Sequence, residues 1–135
     1  MVVSVTTVKH RLQPPTVLVV DDDRDILETL HTLYTIALSD ARVLTASDPA
    51  AALKMMERED VDLIVTDYKM PGMTGVEFLE RARAISPGVQ TALISAFPEF
   101  ALGDRKVAVA PVGKFFSKPI DTDALLRYSR EALTR

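Results

Sequence analysis

The sequence Val17-Leu18-Val19-Val20-Asp21-Asp22-Asp23 places three consecutive aspartates directly after a run of apolar residues. A second apolar run, Leu63-Ile64-Val65, is followed by another acid at Asp67. Short runs of Val, Ile and Leu that end at polar residues are typical of strands buried on both faces of a parallel sheet. Ligands of such sheets bind at the carboxyl ends of the strands. If the two strands are neighbours, Asp21, Asp22 and Asp67 converge on one small region.

This group of acids predicts a cation site. Carboxylates a few ångströms apart raise one another's pKa, and a hard divalent cation with oxygen ligands relieves their repulsion. Mg²⁺ is the expected cation when a phosphate group also takes part. The simpler interpretation is that aspartates at strand ends serve as turn residues or helix caps. We assign that simpler role to Asp23, and the cation site to the other acids.

Strand and helix signals alternate along the chain and predict a three-layer α/β fold. Strands are predicted at 16–20, 43–46, 63–66, 90–94 and 115–117, and helices at 24–39, 49–58, 76–85 and 122–133. Five alternations imply right-handed crossovers and a five-stranded parallel sheet with helices on both faces. Between the last two strands, Pro98, Gly103 and Pro111 interrupt the expected fourth helix. We predict that this helix is short, bent or partly unwound.

Composition limits the classes of function. A chain of 135 residues with 47% hydrophobic residues predicts one folded domain. The net charge of −3 gives no general attraction to nucleic acid or to anionic membranes, so DNA binding would need a further domain. The absence of cysteine excludes a disulfide framework, a thiolate metal site and a cysteine nucleophile, and it fits a reducing compartment.

The ends of the chain add an expectation about location and domain organisation. Residues 1–15 lack the order of charged and apolar residues found in signal peptides, and no apolar run is long enough to cross a bilayer. We therefore expect a cytoplasmic protein with no membrane or direct nucleic-acid partner. Because Pro14-Pro15 stops any regular structure before it, we predict a flexible leader at 1–15 and the folded domain at 16–135.

Two further polar residues follow predicted strands and suggest phosphoryl transfer. Ser95 follows the fourth strand and Lys118 follows the fifth. Phosphoryl transfer depends mostly on positioning and on charge stabilisation, which carboxylates, a cation, a lysine and a hydroxyl provide. Asp67 would be the nucleophile that forms an acyl phosphate, while Asp21 and Asp22 hold Mg²⁺. The ammonium of Lys118 would pair with phosphoryl oxygens, and Ser95 would donate a hydrogen bond to one of them.

Four stretches resemble the receiver domain of bacterial two-component response regulators: Val19–Asp23, Val65–Gly75, Ile94–Ala96 and Ser117–Pro119. The resemblance runs from about Thr16 to Leu133. It implies a flavodoxin-like sheet with strand order 2-1-3-4-5. It also implies that a sensor histidine kinase or phosphotransfer protein donates phosphate to Asp67, which then signals to an effector or output domain. Such a domain is a signalling phosphoacceptor whose only catalysis is its own phosphorylation and dephosphorylation.

The resemblance also implies roles for individual residues. Asp22 and Asp67 would bind Mg²⁺ through their carboxylates and Lys69 through its backbone carbonyl, whereas Asp21 would act largely through a metal-bound water. The Lys118–Pro119 peptide is expected to be cis.

Two positions would form a switch, and one stretch departs from the family pattern. By the resemblance, Ser95 would move toward the phosphoryl group, and Phe115 would be the aromatic residue that responds. The family usually has Gly-Ala where this chain has Pro111-Val112. This departure puts in doubt any dimerisation through that surface.

Three other interpretations remain open at this point. Asp21-x-Asp23, Ser95 and Lys118 imitate the order of residues in haloacid-dehalogenase-type phosphohydrolases, but that interpretation leaves Asp67 without a role. A receiver fold could also serve as a binding module without phosphorylation, although such relatives typically lose an acid or the lysine. A flavin or nucleotide binder is disfavoured because no glycine-rich loop follows the first strand.

Overall fold

The computed structural model describes residues 13–96 and 111–134 of the chain. Within these ranges the elements, in chain order, are β1 (Thr16–Val20), α1 (Arg24–Ala37), β2 (Arg42–Ala46), α2 (Pro49–Met56), β3 (Leu63–Asp67), α3 (Gly75–Ile85), β4 (Gln90–Ser95), β5 (Lys114–Ser117) and α4 (Thr122–Leu133). The irregular helix predicted between β4 and β5 falls largely on residues 97–110, outside the described residues. Most of the predicted leader, residues 1–12, also lies outside them.

The described strands form one parallel sheet in the order β2-β1-β3-β4-β5, which confirms the predicted topology. β1 and β3 are direct neighbours, with Val20 beside Thr66. Where β3 pairs with β4, Asp67 lies beside Ile94. Where β4 pairs with β5, Ser95 lies beside Ser117. Because parallel strands all end at the same edge, the polar residues that follow them collect there.

Helices cover both faces of the sheet and bury two separate core clusters. α1 and α4 pack on one face through residues such as Tyr34 and Leu125. α2 and α3 pack on the other face through residues such as Ala52 and Phe78. Alternate residues of β1 supply the two clusters, because successive side chains in a strand point to opposite faces. The three-layer arrangement was predicted, and no helix in the described ranges is long and apolar enough to span a membrane.

Side-chain caps determine where the helices begin. The Asp23 carboxylate accepts a hydrogen bond from the backbone N–H of Asp25 at 2.9 Å, which confirms its predicted role at the start of α1. Asp48 caps α2 and Asp121 caps α4 in the same way. At the start of α3, Thr74 forms a reciprocal capping box with Glu77.

Two predicted helix ends are wrong by two residues. α1 ends at Ala37 and not at Ser39, because Leu38 leaves the helical conformation with φ −123° and ψ 65°. α2 ends at Met56 and not at Arg58, because Arg58 and Glu59 both donate to the Met55 carbonyl in a closing turn. Four strand limits and the start of α3 also lie one residue outside their predicted ranges, whereas α2 begins at Pro49 as predicted. Side-chain periodicity reports the buried face of an element better than it reports its last residue.

Candidate functional site

Three aspartates form a cluster at the carboxyl edge of the sheet, where β1 and β3 end. Carboxylate oxygens of Asp21, Asp22 and Asp67 all lie within 4.8 Å of one another. Asp21 and Asp67 are buried, with 2% and 8% of their surface exposed, whereas Asp22 is exposed. The structure therefore brings together the acids that the sequence predicted.

The pKa of Asp21 is raised by its surroundings. Burial raises its pKa from 3.8 to about 6, and the negative charge of Asp67 adds to that effect. A hydrogen bond from the backbone N–H of Asp23 to Asp21 Oδ1, 2.8 Å long, and the charge of Lys118 both oppose the rise in pKa. A buried carboxylate that ionises with difficulty is one that a nearby cation stabilises strongly.

Asp67, a member of the acid cluster, also forms an ion pair with a lysine. Lys118 Nζ is 3.3 Å from Asp67 Oδ1, and the backbone N–H of Tyr68 donates to the same oxygen at 2.9 Å. Burial raises the pKa of Asp67, while the charge and hydrogen bond of Lys118 lower it and offset only part of the rise. The carboxylate is thus partly desolvated yet held beside a positive charge.

The donor set of the cluster fits a magnesium ion. Mg²⁺ prefers oxygen ligands and usually retains several waters, so it is bound through a few carboxylates and not through a closed protein cage. Two buried carboxylates and the exposed Asp22 supply such ligands while leaving one side of the cluster open to solvent. Lys69 lies in the exposed loop after β3, and the role of its backbone carbonyl stays a prediction.

The predicted switch residues lie on β4 and β5. Ser95 is buried and ends β4, one position beyond Ile94, the neighbour of Asp67. Phe115 is half-buried and packs against the core cluster on the α2–α3 face, whereas Phe116 packs on the opposite face. Whether Ser95 and Phe115 move together stays a prediction. The Lys118–Pro119 peptide is cis, as predicted.

Sequence reasoning missed the role of Gly75 in shaping this site. Its backbone N–H donates to the Tyr68 carbonyl at 2.6 Å and so closes the loop after β3. A Cβ at this position would meet the Asp67 backbone carbonyl and would come within 2.6 Å of Leu93 Cδ1. Only glycine allows α3 to begin so close to the phosphoacceptor candidate. The glycine was visible in the sequence, but it predicted only that a loop follows β3.

A parallel sheet that carries a buried aspartate, neighbouring acids and a lysine at its carboxyl edge defines a class of α/β signalling domain. Residues 17–130 match the family described as response regulator receiver domain, and the chain belongs to that family. This assignment favours the receiver interpretation over the hydrolase and nucleotide-binder alternatives.

Individual relatives agree with the family assignment. The chain is 31% identical over 122 residues to the transcriptional regulatory protein GlrR of Escherichia coli (strain K12), covering 90% of this chain and 27% of that protein. It therefore spans about a quarter of the length of this curated relative.

Solved structures also share the fold. A CheY-like response regulator receiver domain protein from Methanospirillum hungatei JF-1 superposes with a TM-score of 0.79 and 27% identity, over 89% of this chain and 94% of that one. The response regulator TrrA from Thermotoga maritima, solved in complex with Mg(2+)-BeF, has a TM-score of 0.75 and 23% identity, over 87% and 98% of the two chains. The second likeness shows the fold alone.

Proposed function

We propose that this receiver domain accepts a phosphoryl group on Asp67 from a phosphohistidine of a sensor kinase or of a phosphotransfer protein. The observation that carries the proposal is the position of Asp67, a buried carboxylate within 3.3 Å of the Lys118 ammonium and inside a cluster of acids. An isolated ion pair at the surface would not support the proposal that Asp67 is the phosphoacceptor. A desolvated nucleophile beside both a positive charge and a cation site is suited to phosphoryl transfer.

In the proposed reaction an oxygen of Asp67 forms a bond to phosphorus while the bond from phosphorus to the donor nitrogen breaks. The electron pair of the broken bond remains on the imidazole nitrogen, and the product is an acyl phosphate. Lys118 stabilises the negative charge on the transferring oxygens as a compact point charge. Ser95 donates a hydrogen bond to one of those oxygens once the group is in place.

We further propose that the acid cluster binds Mg²⁺ during this reaction. Asp22 and Asp67 supply carboxylate ligands and Lys69 its backbone carbonyl, while Asp21 acts through water. When bound, the cation neutralises the carboxylates and the incoming phosphoryl oxygens, which otherwise repel one another.

The proposal includes the switch and the setting in which it works. Ser95 is drawn toward the phosphoryl group and vacates space that the Phe115 ring can fill. The similar protein GlrR is a transcriptional regulatory protein of which this chain spans 27%, so we propose an output partner or output domain of unspecified kind. We place residues 16–135 in one receiver unit that acts in the cytoplasm and contacts neither membrane nor nucleic acid directly.

Intact-mass measurement after incubation with acetyl phosphate and Mg²⁺ tests the proposal. Wild type should gain one phosphoryl group that is labile in base, and Asp67→Asn should gain none. Asp23→Asn is the matched control, because it removes an acid from the same run while an asparagine can still cap α1.

The outcomes separate the candidate functions. An adduct that persists in Asp67→Asn contradicts the assignment of the phosphoacceptor. Failure of wild type to form any adduct, under conditions where it binds Mg²⁺, favours a binding module that works without phosphorylation.

A further inference from the structure

Thr91 carries a buried hydroxyl near the start of β4, at the end of the strand opposite the acid cluster. Thr91 is 0% exposed, and its Oγ1 donates to the Pro111 carbonyl at 2.6 Å. The same oxygen accepts a hydrogen bond from the Gly113 N–H at 2.7 Å. One side chain therefore joins both ends of the short turn that leads into β5.

Tyr128 of α4 adds a further hydrogen bond to Thr91. The Tyr128 hydroxyl donates to the Thr91 backbone carbonyl at 2.7 Å. Its ring meets the Phe116 ring edge-on, with the centroids 5.9 Å apart. A Cβ on Gly113 would meet the Tyr128 hydroxyl and would lie 2.7 Å from the Thr91 carbonyl. Thr91, Gly113 and Tyr128, together called the β5 clamp here, thus hold the turn by three hydrogen bonds and by the close approach of Tyr128 to Gly113.

The position of β5 matters because this strand leads directly to Lys118. Among the described strands β5 pairs only with β4, and it spans Lys114–Ser117. At its far end the Lys118 N–H donates to the Ser95 carbonyl at 2.9 Å. A short edge strand has few ladder hydrogen bonds to hold its register, so an anchor at its start has a large share in holding it.

We infer that Thr91 and Tyr128 are positioning residues for Lys118: by holding the start of β5 they hold the lysine ammonium beside Asp67. This inference rests on the proposed function, in which Lys118 acts on the phosphoryl group. Thr91 pairs with Ile64 of β3, but the hydrogen bonds of the clamp described above run to β4 and to the turn before β5. The cation ligands lie at the opposite, carboxyl ends of β1 and β3. Loss of the clamp should therefore reduce the contribution of Lys118 to the rate of phosphorylation and leave the Mg²⁺ affinity unchanged.

Phosphorylation kinetics of four variants test the inference. Thr91→Val removes the hydroxyl at nearly constant shape, and Thr91→Ser restores it. Tyr128→Phe removes one hydrogen bond of the clamp. Tyr34→Phe is the matched control, since it removes a tyrosine hydroxyl bond that joins α1 to Ser129 of α4 and leaves the three bonds of the clamp in place.

We expect Thr91→Val and Tyr128→Phe to slow phosphorylation by acetyl phosphate, the former by about tenfold, because small misplacements of a reacting group are costly. Their Mg²⁺ affinity should match wild type, and Thr91→Ser and Tyr34→Phe should react at nearly the wild-type rate. In a Lys118→Met background the Thr91→Val change should have no further effect, since the clamp acts through that lysine.

Several results would overturn the inference. A folded Thr91→Val protein with the wild-type rate does so, as does an equal slowing in Tyr34→Phe or an additive loss in the Lys118→Met background. If Thr91→Val does not fold, Tyr128→Phe decides by the same criteria. If wild type accepts no phosphoryl group, the proposed function fails. The NMR signals of the Lys118 ε-methylene, which can be measured without a phosphoryl donor, then test whether the clamp positions Lys118. These signals should shift in Tyr128→Phe and not in Tyr34→Phe. Unchanged signals in Tyr128→Phe contradict the inference.

Discussion

Lys118 Nζ lies 3.3 Å from Asp67 Oδ1, so an ion pair joins the ends of two strands, β3 and β5, that are separated by β4. The side chains of the pair are 28% and 10% exposed, which keeps the charges only partly hydrated. In such a setting the lysine offsets part of the cost of burying the carboxylate. The pair therefore links the ionisation of Asp67 to the placement of a distant edge strand.

Lys118→Met should raise the pKa of Asp67 above its already elevated value. The charge of Lys118 lowers that pKa and methionine keeps the apolar stem without the charge. Carbon-detected NMR titration of the Asp67 carboxyl measures the change. Lys114→Met is the control, because the ammonium of Lys114 lies near the Phe116 ring on β5 and not at the acid cluster. A pKa of Asp67 that is unchanged in Lys118→Met contradicts the prediction.

Without divalent cations, the free energy of unfolding should fall as pH rises from about 4 to about 6. The pKa of Asp21 is raised in the folded protein from 3.8 to about 6, so the folded state binds more protons than the unfolded state in that window. The effect is about 2–3 kcal/mol at most, from 1.36 kcal/mol per pKa unit. Urea unfolding in EDTA at several pH values measures it.

Asp21→Asn should remove most of this loss of stability, because asparagine cannot ionise. Saturating Mg²⁺ should reduce the loss in wild type by stabilising the ionised cluster. If the pH dependence of Asp21→Asn equals that of wild type, Asp21 is not its source.

Asp22→Ala should weaken Mg²⁺ binding by at least about tenfold, which is the loss that even outer ligand partners typically cause. The reason is that Asp22 contributes one of the three carboxylates gathered within 4.8 Å. Titration of Mg²⁺ followed by NMR gives the affinity, with Asp23→Asn as the matched variant from the same run of acids. Equal affinity in Asp22→Ala and wild type would rule out this ligand.

Gly75→Ala should destabilise the fold by about 1–3 kcal/mol, the range for overpacking a well-packed region. A Cβ there meets the Asp67 carbonyl and Leu93, so α3 or β3 must move. Gly88→Ala is the control because a Cβ at Gly88 has nothing within 4 Å. Urea unfolding compares the two, and similar stability of both variants contradicts the close approach.

Beryllium fluoride with Mg²⁺ should change amide hydrogen exchange in residues 97–112 of wild type but not of Ser95→Ala. The proposed switch requires Ser95 to move before Phe115 can turn inward. Most of this segment lies outside the described residues, so exchange measured by mass spectrometry is the direct probe. The same protection with and without beryllium fluoride would mean that Phe115 is only a core residue.

Local patterns in the chain were enough to predict the order of the described elements and the gathering of acids at the sheet edge. Apolar runs such as Val17–Val20 identify buried strands because only a doubly covered strand tolerates them. The sequence identifies Asp23 as a cap because capping is a contact between near neighbours in sequence. Asp67 and Lys118 were grouped because both come at the carboxyl ends of predicted parallel strands, which meet at one edge of a sheet.

Packing between distant parts of the chain determined the pKa of Asp21 and the long-range side-chain contacts, which local patterns do not predict. The burial that raises the pKa of Asp21 to about 6 comes from its whole surroundings and not from its run of acids. The clearest case is the bond from Tyr128 to Thr91, residues 37 positions apart. Nothing in the sequence near either residue indicates that contact. It exists because α4 packs against the sheet beside β5, and only close-packed side chains determine which hydroxyl meets which carbonyl.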